Sequence, residues 1–230
     1  MKKKENIQEM FNAISGNYDF LNHFLSLGID FWWRKVFVKQ LFRYSPRNVL
    51  DIATGTGDLA LLICEKNPEH VTGIDIAGNM LAIAKQKAER RNLNSRVTFL
   101  EGDAEAISFP DEMFDAVTVA FGVRNFENLD QGLSEMKRVM KTGGVMIILE
   151  FSHPNAFPWK QLYEFYSKYL IPFIGKLVSK DKRAYSYLPE SVSAFPSGKD
   201  FLEILSNGGM KNVSQRTLTF GVATIYTGLK

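Results

Sequence analysis

Apolar and polar positions change period several times along the chain, and the changes mark out its elements. From Ile7 to Leu25 apolar residues recur at helical spacing (Ile7, Met10, Phe11, Ile14, then Leu21, Phe24, Leu25), with Ser15-Gly16 between the two groups. That break predicts two short helices. After Gly28-Ile29-Asp30-Phe31-Trp32-Trp33-Arg34, an amphipathic pattern predicts a helix to about Tyr44, and Pro46 marks the approach to a first strand. Short apolar runs then alternate with helical patterns. Strands are predicted at Val49–Ile52, Val71–Ile76, Val97–Glu101, Phe114–Phe121 and Val145–Phe151, and helices at Leu59–Lys66, Asn79–Arg91 and Leu129–Met140. The last helix closes on Lys141-Thr142-Gly143-Gly144, which reads as a glycine stop. Such alternation predicts an α/β fold: a parallel sheet with right-handed crossovers, helices on both faces, and ligands beyond the carboxyl ends of the strands.

Past Phe151 the pattern changes. Trp159, Leu162, Tyr163, Tyr166, Tyr169, Leu170, Phe173 and Leu177 form one helical face, interrupted near Pro172, with Lys160, Lys168 and Lys176 off it. The segment reads as an insertion, either packed on the domain or forming a wall for a greasy substrate or a shallow membrane contact. A helix at Lys199–Leu205, a Gly208-Gly209 stop, and strands Val213–Thr219 and Ala223–Thr227 joined through Phe220-Gly221 predict a terminal antiparallel hairpin. The expected organisation is one domain over 1–230, with a helical cap (1–45), a cofactor-binding core (46–152), a helical insertion (153–197), and a helix and hairpin (198–230).

Composition narrows the function. Charged residues are 23% of the chain and the net formal charge is +3, so no large basic field exists to collect nucleic acid. The one cysteine, Cys64, excludes an intrachain disulfide and a cysteine zinc cluster, and no metal site is expected. Three lysines near the start are followed by polar residues and Glu9 rather than the apolar core of a secretory signal, and no apolar run reaches the roughly eighteen residues of a membrane span. These features predict a cytoplasmic protein that touches membrane at most from one side.

The candidate chemistry centres on Val49-Leu50-Asp51-Ile52-Ala53-Thr54-Gly55-Thr56-Gly57-Asp58-Leu59-Ala60, a strand, a glycine turn and a helix start. A side chain at Gly55 or Gly57 would hold a nucleotide cofactor off the backbone. Asp51, Asp75 and Asp103 stand at or near three successive strand ends, with Asp75 about twenty residues past the turn, where a carboxylate accepts ribose hydroxyls. The turn also satisfies the dinucleotide pattern GxGxxA. Asp51, however, would repel a pyrophosphate and attract a methionine ammonium; Asp103 is placed to accept from an adenine amino group, and Met80 to pack on the ring. No Tyr-x-x-x-Lys pair of an oxidoreductase follows the fourth strand. The balance favours S-adenosylmethionine.

The segment Asp51–Phe151 resembles class I S-adenosylmethionine-dependent methyltransferases, with Ala53 where many members have the first glycine. The resemblance implies a Rossmann-like, seven-stranded, mostly parallel sheet whose antiparallel last strand comes from the terminal hairpin. It also implies that Gly55, Thr56 and Gly57 contact the methionine part, Asp75 the ribose, and Asp103 with Ala104 the adenine; Asp51, Met80 and Ala120 complete the expected cofactor set. Ala120-Phe121-Gly122-Val123-Arg124-Asn125 lacks the proline and aromatic motif of amino-group methyltransferases, and Cys64 lies on the wrong element for covalent RNA methylation.

A narrower match runs through nearly the whole chain. Phe11, Ile14, Tyr18-Asp19, Asn22, Ser26, Gly28, Trp33-Arg34, the turn Ala53–Asp58, Ala120–Asn125, Glu150-Phe151-Ser152, Tyr185, Tyr187-Leu188, Ser191 and Phe195-Pro196 resemble the ubiquinone/menaquinone biosynthesis C-methyltransferases. The resemblance implies methylation of a ring carbon on a prenylated quinol, demethylmenaquinol or the benzoquinol of the ubiquinol pathway; a sterol or phenol acceptor is the runner-up. For that chemistry Arg124 is a cation that could hold a phenolate, His153 is the leading candidate base, and Tyr18 and Asp19 are alternatives. Alignment of the reactants ranks above all of these, at about 7 to 11 kcal/mol. The aromatics around Trp32 and Trp159 are expected to draw the tail from a bilayer and shield the reacting carbon. Homodimerisation is left open.

Overall fold

The computed structural model describes residues 2–154, 156–166 and 183–230. Its strands are β1 (Asn48–Ile52), β2 (His70–Asp75), β3 (Val97–Glu101), β4 (Phe114–Ala120), β5 (Met140–Phe151), β6 (Lys211–Leu218) and β7 (Ala223–Leu229). They form one sheet in the order β3-β2-β1-β4-β5-β7-β6. The first five are parallel, and β7 runs antiparallel between β5 and β6, with Ile148 opposite Tyr226. This is the predicted Rossmann-like sheet. Because helices cover both faces, central strands are apolar without alternation: Val145 through Leu149 are all buried. The order reverses between β1 and β4, and in such sheets the crevice opens at that reversal.

Two apolar clusters flank the sheet. On one face lie α2 (Ile29–Leu41), α3 (Asp58–Cys64) and α4 (Gly78–Arg90), contributing Phe37, Leu41, Ile63, Cys64 and Ala84. On the other lie α5 (Leu129–Val139) and a C-terminal helix, α8 (Lys199–Asn207), contributing Met136, Phe201 and Leu205. Helix α5 starts where the Asn128 side chain accepts from the Gln131 N–H at 3.1 Å. Its end departs from expectation. Met140 is already extended, so the helix stops at Val139 without a glycine cap, and Lys141–Gly144 fall inside β5. There the register jumps from Phe114 opposite Met140 to Ala116 opposite Val145, and the glycine pair forms the bulge.

The start of the chain also differs. Lys2–Leu25 form one continuous helix, α1, through Ser15-Gly16. A glycine inside a helix costs about 1 kcal/mol, and polar ties along α1 offset it. Gln8 Nε2 donates to the Ile76 carbonyl at 2.5 Å, Asn12 Oδ1 accepts from the Asn79 N–H at 3.0 Å, and Asp19 Oδ1 accepts from Thr56 Oγ1 at 2.5 Å. Ile7 and Met10 are buried beneath. The cap is thus a lid fastened at successive turns. Of the insertion, α6 (Trp159–Phe165) and α7 (Arg183–Ala194) are described; Lys168, Tyr169, Leu170, Pro172, Phe173, Lys176 and Leu177 lie outside the described residues. Among the described residues no helix is long and apolar enough to cross a membrane.

Candidate active site

Backbone geometry at the carboxyl ends of β1 and β4 shapes the floor of the site. Ala53 has φ 51° and Phe121 has φ 58°, left-handed values that cost a side chain of order 1 kcal/mol. The two loops touch: a Cβ on Gly122 would lie 2.6 Å from the Ala53 Cβ. Only glycine permits this approach. Phe121 is held in its strained conformation by its N–H to the Leu149 carbonyl at 2.7 Å and by its ring against Phe151, with centroids 4.5 Å apart.

Two adjoining spaces open above this floor. The first is a narrow cleft of about 80 Å³, lined by Gly55, Asp75, Met80, Asp103, Ala104 and Ala120 among others. The Asp75 carboxylate accepts the Gly55 N–H through one oxygen and the Ala77 N–H through the other, both at 2.8 Å. Burial pushes its pKa up despite those bonds. Each oxygen keeps a lone pair for a ligand hydroxyl. Across the cleft, Lys4 of α1 pairs with Asp103 and lies 3.5 Å from Glu105. Burial lowers the Lys4 pKa, but the two carboxylates outweigh it and hold the ammonium above its usual range.

Three residues expected on the cofactor lie behind this surface. Asp51 is 1% exposed, with its oxygens taken by Thr54 Oγ1 at 2.7 Å and Thr118 Oγ1 at 2.8 Å. Burial raises its pKa to about 6 against those two bonds, and its carboxylate is not part of the cleft lining. Gly57 is a packing position: at φ 81°, a Cβ there would meet Phe99 Cζ at 2.8 Å and Ala84 Cβ at 2.9 Å. Thr56 is 3% exposed and its hydroxyl is engaged by Asp19 and, at 3.0 Å, by Lys87 Nζ. Gly55 alone of that turn's predicted trio lines the cleft.

The second space is a cavity of about 660 Å³ enclosed mainly by apolar side chains of α1, α2, α6, α7 and the β6–β7 turn. Phe11, Tyr18 and Phe121 line both spaces, so they form the wall between cleft and cavity. Arg124 faces the cavity but is not a free cation. Its Nη1 lies 2.9 Å from Glu150 Oε1, its Nε donates to Ser191 Oγ at 3.2 Å, and its guanidinium sits 5.4 Å from the Phe151 ring centroid. Glu150 is wholly buried, so the pair is a buried ion pair first. Beside it, Tyr187 donates to Asn125 Oδ1 at 2.9 Å.

The other expected bases fare differently. His153 is exposed, its Nε2 is 3.3 Å from the Val192 carbonyl, and it is absent from the cavity lining. That contact ties its loop to α7. Asp19 is spent on Thr56 and on Lys87 Nζ at 2.6 Å, fastening α1 to the glycine turn. Tyr18 stands at the junction, its ring edge-on to Phe11 at 5.8 Å. Sequence reasoning missed Lys4 and the buried pair Asp30–Arg34, which lines the cavity. The signal was present: an acid and a base four residues apart within an aromatic run. No cluster suited to a metal ion exists among the described residues.

A cleft at the sheet's reversal point, an acid at the end of β2 and an antiparallel β7 define the class I S-adenosylmethionine-dependent methyltransferase fold. A structure titled a putative S-adenosyl-L-methionine-dependent methyltransferase, from Methanococcus maripaludis, superposes with TM-score 0.69 at 18% identity, covering 95% of this chain and 93% of that one. The cyclase SpnF superposes with TM-score 0.72 at 18% identity over 99% and 96% of the two chains, so the fold by itself does not fix the reaction. The sequence does more. The chain belongs to the ubiE/COQ5 methyltransferase family, whose model matches residues 1–230. It is 48% identical to a demethylmenaquinone methyltransferase of Bacteroides fragilis, over 100% of this chain and 94% of that protein. It is 47% identical to the ubiquinone/menaquinone biosynthesis C-methyltransferase UbiE of Geotalea daltonii, over 100% and 98%.

Proposed function

We propose that this protein methylates a ring carbon of a prenylated quinol with S-adenosylmethionine as methyl donor. The observation that carries the reading is the pairing of a narrow polar cleft with a large apolar cavity across one shared wall, Phe11, Tyr18 and Phe121. The cleft takes the cofactor, and the cavity takes the ring and the start of its tail. Relatives from Bacteroides fragilis and Porphyromonas gingivalis, at 48% and 46% identity, are demethylmenaquinone methyltransferases, which favours demethylmenaquinol over a benzoquinol.

The residues fit that donor. Asp75 accepts the ribose hydroxyls, Met80 and Ala104 pack on the adenine, and Asp103 accepts its amino group once Lys4 swings aside. Asp51, ionised above about pH 6, supplies a negative field behind Gly55 for the cationic methionine end. Bound there, the donor offers a sulfonium methyl, an electrophile. Alignment of a ring carbon with that methyl is the main task, which the confining walls perform. Arg124, half-neutralised by Glu150, orients the hydroxyl-bearing edge of the ring together with Tyr187 and Asn125.

The cavity walls continue to the surface through Leu27, Leu162, Phe165 and Phe220, which are 77%, 57%, 57% and 62% exposed. They make an apolar rim suited to a bilayer face, through which a tail can enter, and α2 adds the exposed Phe31 and Trp32. The test is incubation of the purified chain with methyl-labelled S-adenosylmethionine and demethylmenaquinol. Label on the ring carbon supports the reading; label on oxygen, or none, refutes it.

A further inference from the structure

A charged group on the cavity wall remains without a task. Asp30 and Arg34 stand one turn apart on α2, and both line the cavity. Asp30 is 3% exposed and its carboxylate is gripped from three sides. Ser26 Oγ donates to Oδ1 at 2.6 Å, Arg34 Nη1 donates to Oδ2, and His23 Nδ1 lies 2.7 Å from the same Oδ2. His23 in turn stacks on Phe31, with centroids 4.1 Å apart, and its Nε2 is 3.7 Å from Asp58 Oδ2. The Arg34 guanidinium lies 5.8 Å from the Phe121 ring centroid, and Phe121 belongs to the wall between cleft and cavity. The group therefore sits beside the place where ring and methyl must meet.

A carboxylate is costly on an apolar wall, and balancing Arg34 does not require Ser26 and His23 as well. Three fixed donors set its orientation, and Oδ1, with one donor among the described residues, retains a lone pair for another. We propose that Asp30 is a catalytic residue: its Oδ1 accepts the hydroxyl proton of the quinol while the neighbouring ring carbon is methylated, with Arg34, Ser26 and His23 holding the carboxylate in place. The proposal rests on the quinol reading above.

The proton and electron balance is simple. A ring π pair forms the new carbon–carbon bond while the methyl–sulfur bond breaks and leaves its pair on sulfur. The hydroxyl proton moves to Asp30 as that oxygen becomes a carbonyl. The ring C–H proton then leaves to water and the oxygen takes its proton back from Asp30, so each turnover releases one proton. Burial alone pushes the Asp30 carboxyl up, but the Ser26 bond, Arg34 and His23 outweigh it and keep it below the usual carboxylate range. So weak a base suffices. As the new bond forms, the hydroxyl takes on the character of a protonated carbonyl, a far stronger acid than a phenol of pKa about 10. Among the described residues, the titratable and charged groups facing Asp30 are His23 of α1 and Arg34 of α2, with Asp58 behind His23 and Asp51 within the field of Arg34.

The test uses the full chain and its Asp30→Asn variant. At pH 7 the variant should lose about 100-fold or more in kcat with its S-adenosylmethionine affinity unchanged. The deficit should shrink about tenfold per pH unit toward pH 9, as the quinol ionises without help. A variant as fast as the wild type, or a deficit equally deep at pH 9, overturns the proposal. A second readout needs no turnover: the absorbance titration of a bound naphthol without S-adenosylmethionine. Its pKa should fall by about one unit or more when Asp30 becomes Asn, because a facing negative charge has gone; an unmoved pKa overturns the assignment. Where Asp30→Asn does not fold, Asp30→Ala assayed with added formate replaces it: recovered turnover supports the role and unrecovered turnover overturns it. An inactive wild type refutes the quinol reading itself, whereas an active wild type with an equally active variant refutes only Asp30.

Discussion

The narrow polar cleft and the large apolar cavity share a wall yet are built on opposite principles. The cleft's floor is assembled from residues at strand ends, Asp75 and Ala120, or two to three positions past them, Gly55 and Asp103, so the course of the backbone sets its shape. The cavity is assembled from seven stretches between Met10 and Val222, and its lining is mainly apolar side chains. The contrast teaches where precision is needed. On the function proposed above, a cofactor whose methyl must be aimed sits against a rigid sheet edge, whereas a long apolar tail needs only a greasy, adaptable lining.

The largest effect that would break this division falls on the buried ion pair between the two spaces. Arg124→Met strands Glu150, which is wholly buried, and should cost about 3 to 5 kcal/mol of stability. Chemical denaturation checks this; an unchanged midpoint would mean that the pair does not support the fold. On the cleft side, Asp75→Ala removes the acceptor for two ribose hydroxyls and should weaken S-adenosylmethionine by about 100-fold or more. Calorimetry reads it, and quinol affinity should be spared. Gly57→Ala forces a Cβ against Phe99 at positive φ and should cost about 1 to 3 kcal/mol, sharpening the view of Gly57 as packing rather than contact. A change in cofactor affinity without loss of stability would reverse that view.

Two smaller effects test the charges around the cleft. Asp51 has a folded pKa of about 6, above its ordinary 3.8. It is therefore neutral below about pH 6 and ionised above, and the ionised form favours a cationic ligand. Cofactor affinity should rise as pH increases through 6 and then level off, and Asp51→Asn should flatten the profile. The same sign makes the ionised carboxylate a burden on folding, so stability supplied by the neutral form is lost as pH climbs from about 4 past 6. Lys4→Ala frees Asp103 and should tighten cofactor binding a few-fold, consistent with about 0.3 to 1 kcal/mol for a partly exposed pair. Weaker binding would show instead that Lys4 helps to hold the ligand.

Much of the sheet edge was legible because its signals are local. An apolar run, an acid and a glycine within a few residues specify strand, end and turn, and the same logic found Asp75, Met80 and Ala104 on the cleft. Failures occurred where tertiary ties override local preference. Gly16 does not break α1 because Gln8, Asn12 and Asp19 are tied to the core along its length. Gly143-Gly144 does not cap a helix because Met140 already pairs with Phe114. Arg124 and Glu150 were both singled out in the sequence, but not their pairing, since an ion pair spanning 26 positions leaves no periodic trace. His153 looked catalytic from its place after β5, and the fold turns it toward the Val192 carbonyl.

The central claim is that the quinol occupies the cavity and the methyl donor the cleft, with reaction across Phe11, Tyr18 and Phe121. Val192 lines the cavity and not the cleft. The most direct measurement is quinol turnover by Val192→Phe beside its calorimetric affinity for S-adenosylmethionine. The account predicts a drop in turnover of about tenfold or more with cofactor affinity unmoved; undiminished turnover in the narrowed cavity would contradict it.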